Sequence, residues 1–271
     1  GNGKSAIAER LAGVHDDPIH LPHAIEVDGQ IIAVYTEGIH QPVDDSNGAS
    51  AHGDGRWMKI RRPAVLAGGE LTLADLELHF DPRTGIHAAP LQVQALGGVL
   101  VIDDFGRQQA EARELLNRWI VPLERNVDHL SLITGRRLRM PFDCLLVFAS
   151  NDDPHTLVDE GLRRRIRYSI RLGNPSWKQW SDIFEREAER RSLELPAAVR
   201  SQAADYVRRE IYDGRGIEPR SCHPRDLLEV IDDIAHFRQS DHRLGHGSDR
   251  AVAELMPRAC ASYFGSSEVD A

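Results

Sequence analysis

The sequence predicts an α/β fold in which a parallel sheet is followed by an all-helical domain, and three observations carry that prediction. The runs Val99-Leu100-Val101-Ile102 and Leu145-Leu146-Val147-Phe148 are apolar without alternation, as strands buried on both faces of a parallel sheet must be, and each stops abruptly at polar residues. Beyond Asn174-Pro175 only helical periodicity remains, and a change of texture at a proline marks a domain boundary. The 271 residues, at about 150 per domain, leave room for one large domain and one small one. Residues 1–174 are therefore assigned to the α/β domain and residues 175–271 to the helical one.

Hydrophobic side chains make up 41% of the chain and charged ones 28%, with a mean hydropathy of -0.40. This is the balance of a folded globular chain and not of a disordered one. Forty-two acids against thirty-three bases give a formal charge of -9, which argues against a chain wrapped in nucleic acid or lying on an anionic membrane. Cys144, Cys222 and Cys260 are far apart, odd in number and without CxxC spacing, so neither a disulfide framework nor a zinc site is indicated and a reducing cytoplasm fits best. No apolar run reaches the roughly 18 residues that span a bilayer, and the start shows no signal-peptide pattern. A cytoplasmic protein without membrane insertion is expected.

The chain opens Gly1-Asn2-Gly3-Lys4-Ser5 and continues Ala6-Ile7-Ala8-Glu9-Arg10-Leu11-Ala12, whose small and apolar residues suit a helix. This is the second half of a phosphate-binding P-loop, G-x-x-x-x-G-K-[ST]. In that motif loop N–H groups hold phosphates, the lysine neutralises their charge and the hydroxyl ligates magnesium. The first glycine of the pattern falls upstream of Gly1, so the sheet's first strand is missing and a fragment of a longer protein is expected. Only Lys4, Lys59 and Lys178 are lysines in this arginine-rich chain, which makes a lysine at this place less accidental.

Residues 23–36 read as a hairpin around Asp28-Gly29. His20 and His23 flank a proline that resists the helix needed to align them on a metal, and they read as loop residues. Residues 41–55, rich in Asp, Ser, Gly, Asn and His, read as a mobile loop, followed by an extended segment at 56–63. The stretch from about 20 to 90 is thus a β-rich insertion. The strand at 97–105 ends in Asp103-Asp104, at the sheet edge where open α/β folds bind ligands. A magnesium ion on Ser5 needs such a carboxylate, whereas alone the pair reads equally as solvated acids ending a strand. Residues 107–124 show helical spacing, 128–140 a second hairpin around Thr134-Gly135, 144–151 the second buried strand, and 159–170 a short helix running into a further strand. The helical patterns then fall at 176–192, 197–212, 225–238 and 248–264. At 176–192, Trp177, Trp180, Ile183, Phe184 and Ala188 share one face. The tryptophans read as packing residues and not as base-stacking platforms.

Taken in order, these segments resemble the AAA+ ATPase superfamily over nearly the whole chain. Gly3-Lys4-Ser5 is similar to the end of Walker A, Leu100-Val101-Ile102-Asp103-Asp104 to Walker B, and Phe148-Ala149-Ser150-Asn151 to the sensor-1 strand. Asp159-Glu160-Gly161-Leu162-Arg163-Arg164-Arg165 is similar to the arginine-finger helix, and His223-Pro224-Arg225-Asp226-Leu227-Leu228 to sensor 2 on the helical lid. The hairpin at 128–140 resembles the one that precedes sensor 1 in the clade of MoxR-type ATPases.

The resemblance implies a P-loop parallel sheet with a C-terminal helical lid, ATP and Mg2+ as ligands, and a homo-oligomeric ring, taken as a hexamer. Such a ring hydrolyses ATP to remodel or move a macromolecular partner, with the acidic charge favouring protein over nucleic acid. Gly1, Asn2, Gly3, Lys4, Ser5 and Ala6 would line the phosphates, with Ser5 on the magnesium and Asp103 holding it through water. Asp104 would polarise the attacking water, Asn151 would orient it, and Arg225 would contact the γ-phosphate. Arg164 and Arg165 would reach the neighbouring subunit's nucleotide, although the same arginines also read as a solvated basic face. One departure is that Asp104 stands where most of the superfamily has glutamate. That shorter carboxylate keeps a second reading open, a nucleotide-dependent switch or loader with slow hydrolysis. A P-loop small-molecule kinase is disfavoured by the arginine run, the sensor-2 pattern and the helical lid.

Overall fold

The structure, a computed structural model, describes residues 3–14, 17–43, 54–152, 164–166, 168–191, 197–239 and 248–265. Lys4–Ile170 forms one compact unit and Arg171–Ala271 another. The first opens with helix α1 (Lys4–Arg10), which ends in a 3-10 turn at Leu11–Val14. Strand β1 (Ile19–Pro22) follows, then β2 (Ala24–Val27) and β3 (Gln30–Ala33). β2 and β3 form the expected hairpin: Asp28 and Gly29 both take positive φ, 53° and 77°, the two-residue turn that Asp-Gly favours because its twist matches the strands. The expected mobile loop lies for the most part, residues 44–53, outside the described residues.

β4 (Trp57–Ile60) pairs antiparallel with β1. β5 (Ala64–Ala67) comes next, then β6 (His79–Asp81) and β7 (Ile86–Ala88), which join β2 and β3 in a sheet ordered β2-β3-β7-β6. A short helix, α2 (Leu91–Gln94), leads to β8 (Val99–Ile102). All four β8 side chains are buried, because β8 is flanked in parallel by β5 on one side and β11 (Leu145–Phe148) on the other. Between them lie α3 (Ala112–Arg125) and the hairpin of β9 (Val127–Ser131) with β10 (Arg137–Pro141). β5 divides the β-rich stretch of 20–90: its four residues belong to the parallel sheet and are not part of an insertion. Gly98 makes that pairing close, since a Cβ there would lie 2.0 Å from the Pro63 carbonyl oxygen.

The sheet is covered on its two faces by different means. α3 lays Leu115, Leu116 and Trp119 against Val65, Leu100 and Ile102, while α1 sets Ala8 and Leu11 against Val99, Val101 and Val147. The β9–β10 hairpin turns Leu130, Leu132 and Met140 inward onto Leu21, Ile32 and Ile60. Its base is held by a buried ion pair, Arg118 Nη1 to Asp128 Oδ1 at 2.7 Å, with Gln92 donating to Asp128 Oδ2 at 2.8 Å. Loss of one member of such a pair is costly because the other charge is left buried. Tyr168 and Ile170, read as part of a further strand, have no strand partner among the described residues and are 85% and 80% exposed.

Every regular element among the described residues of the second unit is a helix. α4 (Trp177–Arg190) starts at a capping box in which the Ser176 hydroxyl accepts from the Gln179 N–H, satisfying donors that the first turn leaves open. It buries Trp180, Phe184 and Ala188 at four-residue spacing. α5 (Ala197–Tyr206) runs into a π-helical stretch, Val207–Asp213, which buries Val207, Ile211 and Tyr212. α6 (His223–Gln239) and α7 (Ser248–Phe264) close the bundle by packing Leu227, Leu228 and Ile231 with Leu255, Met256, Ala259 and Cys260. No helix of the described residues is long and apolar enough to cross a membrane.

His223 is buried at the start of α6, where the Tyr212 hydroxyl donates to its Nδ1 at 2.9 Å and the Arg220 N–H approaches the same nitrogen at 3.3 Å. Two donors on one ring nitrogen require the neutral imidazole with its proton on Nε2. Burial, and then the Arg220 charge, pull its pKa down from 6.5 to about 4. The unfolded chain takes up this proton first as pH falls, so stability is full above pH 6.5 and is lost between there and about pH 4. We predict that the urea midpoint of the wild type falls more steeply from pH 7 to 4.5 than that of His223→Gln. Equal slopes would show that His223 is not the group responsible.

Candidate functional site

Because β8 and β11 run parallel, with Ile102 opposite Phe148, both strands release their chain at one sheet edge. The two exits are tied by backbone hydrogen bonds, Ala149 N–H to Ile102 O at 2.9 Å and Phe105 N–H to Ala149 O at 2.8 Å. The Ser150 hydroxyl adds a third by donating to Phe105 O at 2.8 Å. On the other side the Asp103 N–H donates to Ala67 O at 2.8 Å, so β5 holds the same turn. Asp103, Asp104 and Asn151 are thereby presented on a braced rim.

The first turn of α1 meets this rim. The Ser5 hydroxyl donates to Asp103 Oδ2 at 2.6 Å, across 98 residues of sequence. Lys4 Nζ donates to Asn151 Oδ1 at 2.7 Å, and Asn151 Nδ2 donates to Asp104 Oδ1 at 2.8 Å. The Asp104 N–H donates to Asp103 Oδ1 at 3.0 Å, which leaves the two oxygens of Asp103 with different partners. Five residues from three separate segments thus form one polar cluster. α1 comes to the rim through the contact of Ala8 and Leu11 with β8 and β11.

The donor chemistry fits a magnesium–nucleotide group. Ser5 and Asp103 offer two hard oxygens side by side, and magnesium is commonly held by one or two carboxylates, with water and phosphate completing its shell. Lys4 bonds a neutral amide, and among the described residues it has no carboxylate partner, so no acid offsets its charge.

Asp104 takes a left-handed backbone, φ 48°, which short polar side chains tolerate and longer ones resist. The conformation gives a local reason for aspartate at this position. Gly3 also has positive φ, 78°, with open space where a Cβ would point, so the backbone alone calls for glycine there. Gly1 and Asn2 lie outside the described residues. Ala6 is exposed on α1.

Arg164 and Arg165 form a turn, Arg164 exposed and Arg165 half-buried, and Arg165 is bonded to the Glu124 carboxylate of α3. Glu124 lies 41 residues away, and no local pattern announces it. In the helical unit Arg225 pairs with Asp226 at 2.7 Å, and the Tyr263 hydroxyl donates to the other Asp226 oxygen at 2.7 Å. Sequence reading also missed Gln108, which bonds to the Asp103–Gly106 turn. It lies in a stretch read as helix, whereas α3 begins only at Ala112.

Residues 176–260 match a family described as "Domain of unknown function (DUF8689)". No curated protein matches the chain. Among solved structures the chain is similar to NtrX from Brucella abortus in complex with ADP, at 15% identity and a TM-score of 0.49, over 77% of this chain and 46% of that one. It is also similar to the P216G mutant of Thermotoga maritima RuvB, at 15% identity and a TM-score of 0.44, over 75% of this chain and 55% of that one. The chain therefore spans about half the length of these solved chains.

The left-handed backbone at Asp104 generates a prediction of its own. Asp104→Glu should lower stability to urea by about 1 kcal/mol, the scale of a left-handed penalty for an ordinary side chain, while Asp104→Asn should stay close to wild type. A glutamate variant as stable as the wild type would show that this backbone does not select the residue.

Proposed function

We propose that the chain is an AAA+-type ATPase module that binds ATP with Mg2+, hydrolyses it within a homo-oligomeric ring, taken as a hexamer, and uses the turnover to remodel or move a macromolecular partner, a protein in preference to nucleic acid. The observation that carries this reading is the Ser5–Asp103 hydrogen bond at 2.6 Å, with Lys4 and Asn151 joined beside it. A hydroxyl, a carboxylate, an ammonium and an amide at one sheet edge are the groups that phosphoryl transfer calls for, since that reaction depends on positioning and charge stabilisation more than on covalent chemistry.

When bound, magnesium–ATP supplies the phosphoryl group to be transferred and the metal charge that neutralises its oxygens. Ser5 and Asp103 hold the metal, and Lys4 neutralises phosphate charge. Asn151 orients a water molecule, and Asp104 draws a proton from it. Arg225 acts from the helical lid, and Arg164 and Arg165 act on the nucleotide of a neighbouring subunit. A second reading, a switch or loader that hydrolyses slowly, draws support from Asp104. Its carboxylate is one methylene shorter than glutamate and is already bonded to the Asn151 amide.

Two experiments test the proposal. Lys4→Ala should weaken ATP binding, and Asp103→Ala should abolish magnesium dependence and slow turnover by about 10²-fold or more, the scale of losing one stabilising group. Unchanged ATP binding and turnover in both variants would overturn the site.

The neighbour-acting arginines are tested by mixing Arg164→Ala/Arg165→Ala subunits with Lys4→Ala subunits, each expected to be inactive alone. Fingers of this kind are worth about 10³ to 10⁵ in rate, so recovered ATPase in the mixture would be plain. Mixed assemblies that form without recovering activity would return these arginines to a solvated basic face.

A further inference from the structure

The turn that presents Asp103 and Asp104 takes an unusual path, since Asp104 and Gly106 both have positive φ, 48° and 103°. Within it only the Arg107 N–H to Asp104 O bond, at 3.0 Å, closes the backbone on itself. The side chain of Gln108 bonds to three of the turn's backbone groups. Its Nε2 donates to Asp103 O at 2.8 Å and to Asp104 O at 3.2 Å, and its Oε1 accepts from the Gly106 N–H at 2.8 Å.

One terminal amide therefore satisfies two carbonyls and one N–H of a four-residue turn. Glutamate offers no donor to the carbonyls, and methionine offers neither donor nor strong acceptor. Fixing the Asp103 and Asp104 carbonyls fixes the two peptide planes on either side of the Asp104 Cα. Those planes set where the Asp104 carboxylate points, toward Asn151 Nδ2. They also set where the Asp104 N–H points, which is onto Asp103 Oδ1, and so which Asp103 oxygen is left for Ser5.

We infer that Gln108 is a positioning residue for both carboxylates of the site, holding Asp103 in the orientation that ligates metal and Asp104 in the one that faces water. Among the described residues Gln108 makes no hydrogen bond to Lys4, Ser5 or Asn151, and it acts through the turn alone. The inference rests on the nucleotide reading proposed above. It also explains why residues 107–111 are not helical: Gln108 is committed to the turn, and α3 starts only beyond it.

The test uses Mn2+ as the probe of the metal site, measured by electron paramagnetic resonance in the presence of ADP, with ADP affinity measured separately. Gln108→Met keeps the length of the side chain and removes its hydrogen bonds. Gln108→Glu keeps the acceptor for Gly106 and removes the donors, so it serves if the first variant folds poorly. Either variant should weaken Mn2+ binding about tenfold, the scale seen when outer-shell partners of metal ligands are lost, while ADP affinity stays within about twofold. ATP turnover should fall by a similar factor in kcat with little change in KM.

Asp103→Ala is measured in parallel. If it loses Mn2+ binding while both Gln108 variants retain it, the positioning role is wrong and the nucleotide reading stands. If Asp103→Ala also binds Mn2+ like the wild type, the nucleotide reading fails and takes this inference with it. A Gln108 variant that loses ADP and Mn2+ affinity in equal measure together with thermal stability would make Gln108 a fold residue only, and would overturn the inference.

Discussion

The strand Val99–Ile102 is buried on both faces and paired on both edges, and that constraint organises the rest of the first unit. A strand so enclosed can carry polar residues only where it leaves the sheet, so Asp103 and Asp104 come at its end. Parallel pairing then forces Leu145–Phe148 to exit at the same edge and delivers Asn151 beside them. The helix that opens the chain has little choice of seat, because its small apolar face, Ala8 and Leu11, fits the side of the sheet lined by Val99, Val101 and Val147. Lys4 and Ser5 arrive at the rim as a consequence of that packing.

The polar cluster is held by hydrogen bonds from outside it more than by its own. Backbone bonds from Ala67 and Ala149, the Ser150 hydroxyl and the Gln108 amide each restrain the Asp103–Gly106 turn. Such bracing matters for a residue like Asp104, whose left-handed backbone would otherwise relax at a gain of the order of 1 kcal/mol. The identity of the residue follows from the same geometry: a carboxylate on one methylene is what this backbone accepts.

Much of this is legible in the sequence alone. The apolar runs at 99–102 and 145–148, both Gly-containing hairpin turns and the helical spacing beyond 174 each rest on a strong local signal, and the structure has strands, turns and helices there. β5 was not legible, since four residues between Pro63 and Gly68 are too few to establish a period, and only pairing with β8 makes them a strand. The reading of 107–111 as helix failed for the opposite reason: periodicity extends naturally past a boundary that a side-chain-to-turn bond enforces. At the site, residue types and order were visible, but the partners were not. The Ser5–Asp103 and Arg165–Glu124 pairs join residues 98 and 41 positions apart, and nothing local encodes either one.

The four tryptophans give the two units distinct optical signatures. Trp57 and Trp119 lie in the sheet-containing unit, the first 49% exposed and the second fully buried. Trp177 and Trp180 lie in the helical unit with ring centroids 5.0 Å apart and planes 11° from parallel. Indoles so close couple their electronic transitions into an exciton couplet that single tryptophans lack, its sign and size set by the angle between the two transition dipoles. That couplet belongs to one unit alone, so its loss on heating or in denaturant times the melting of the helical bundle separately from that of the sheet, without any label being attached.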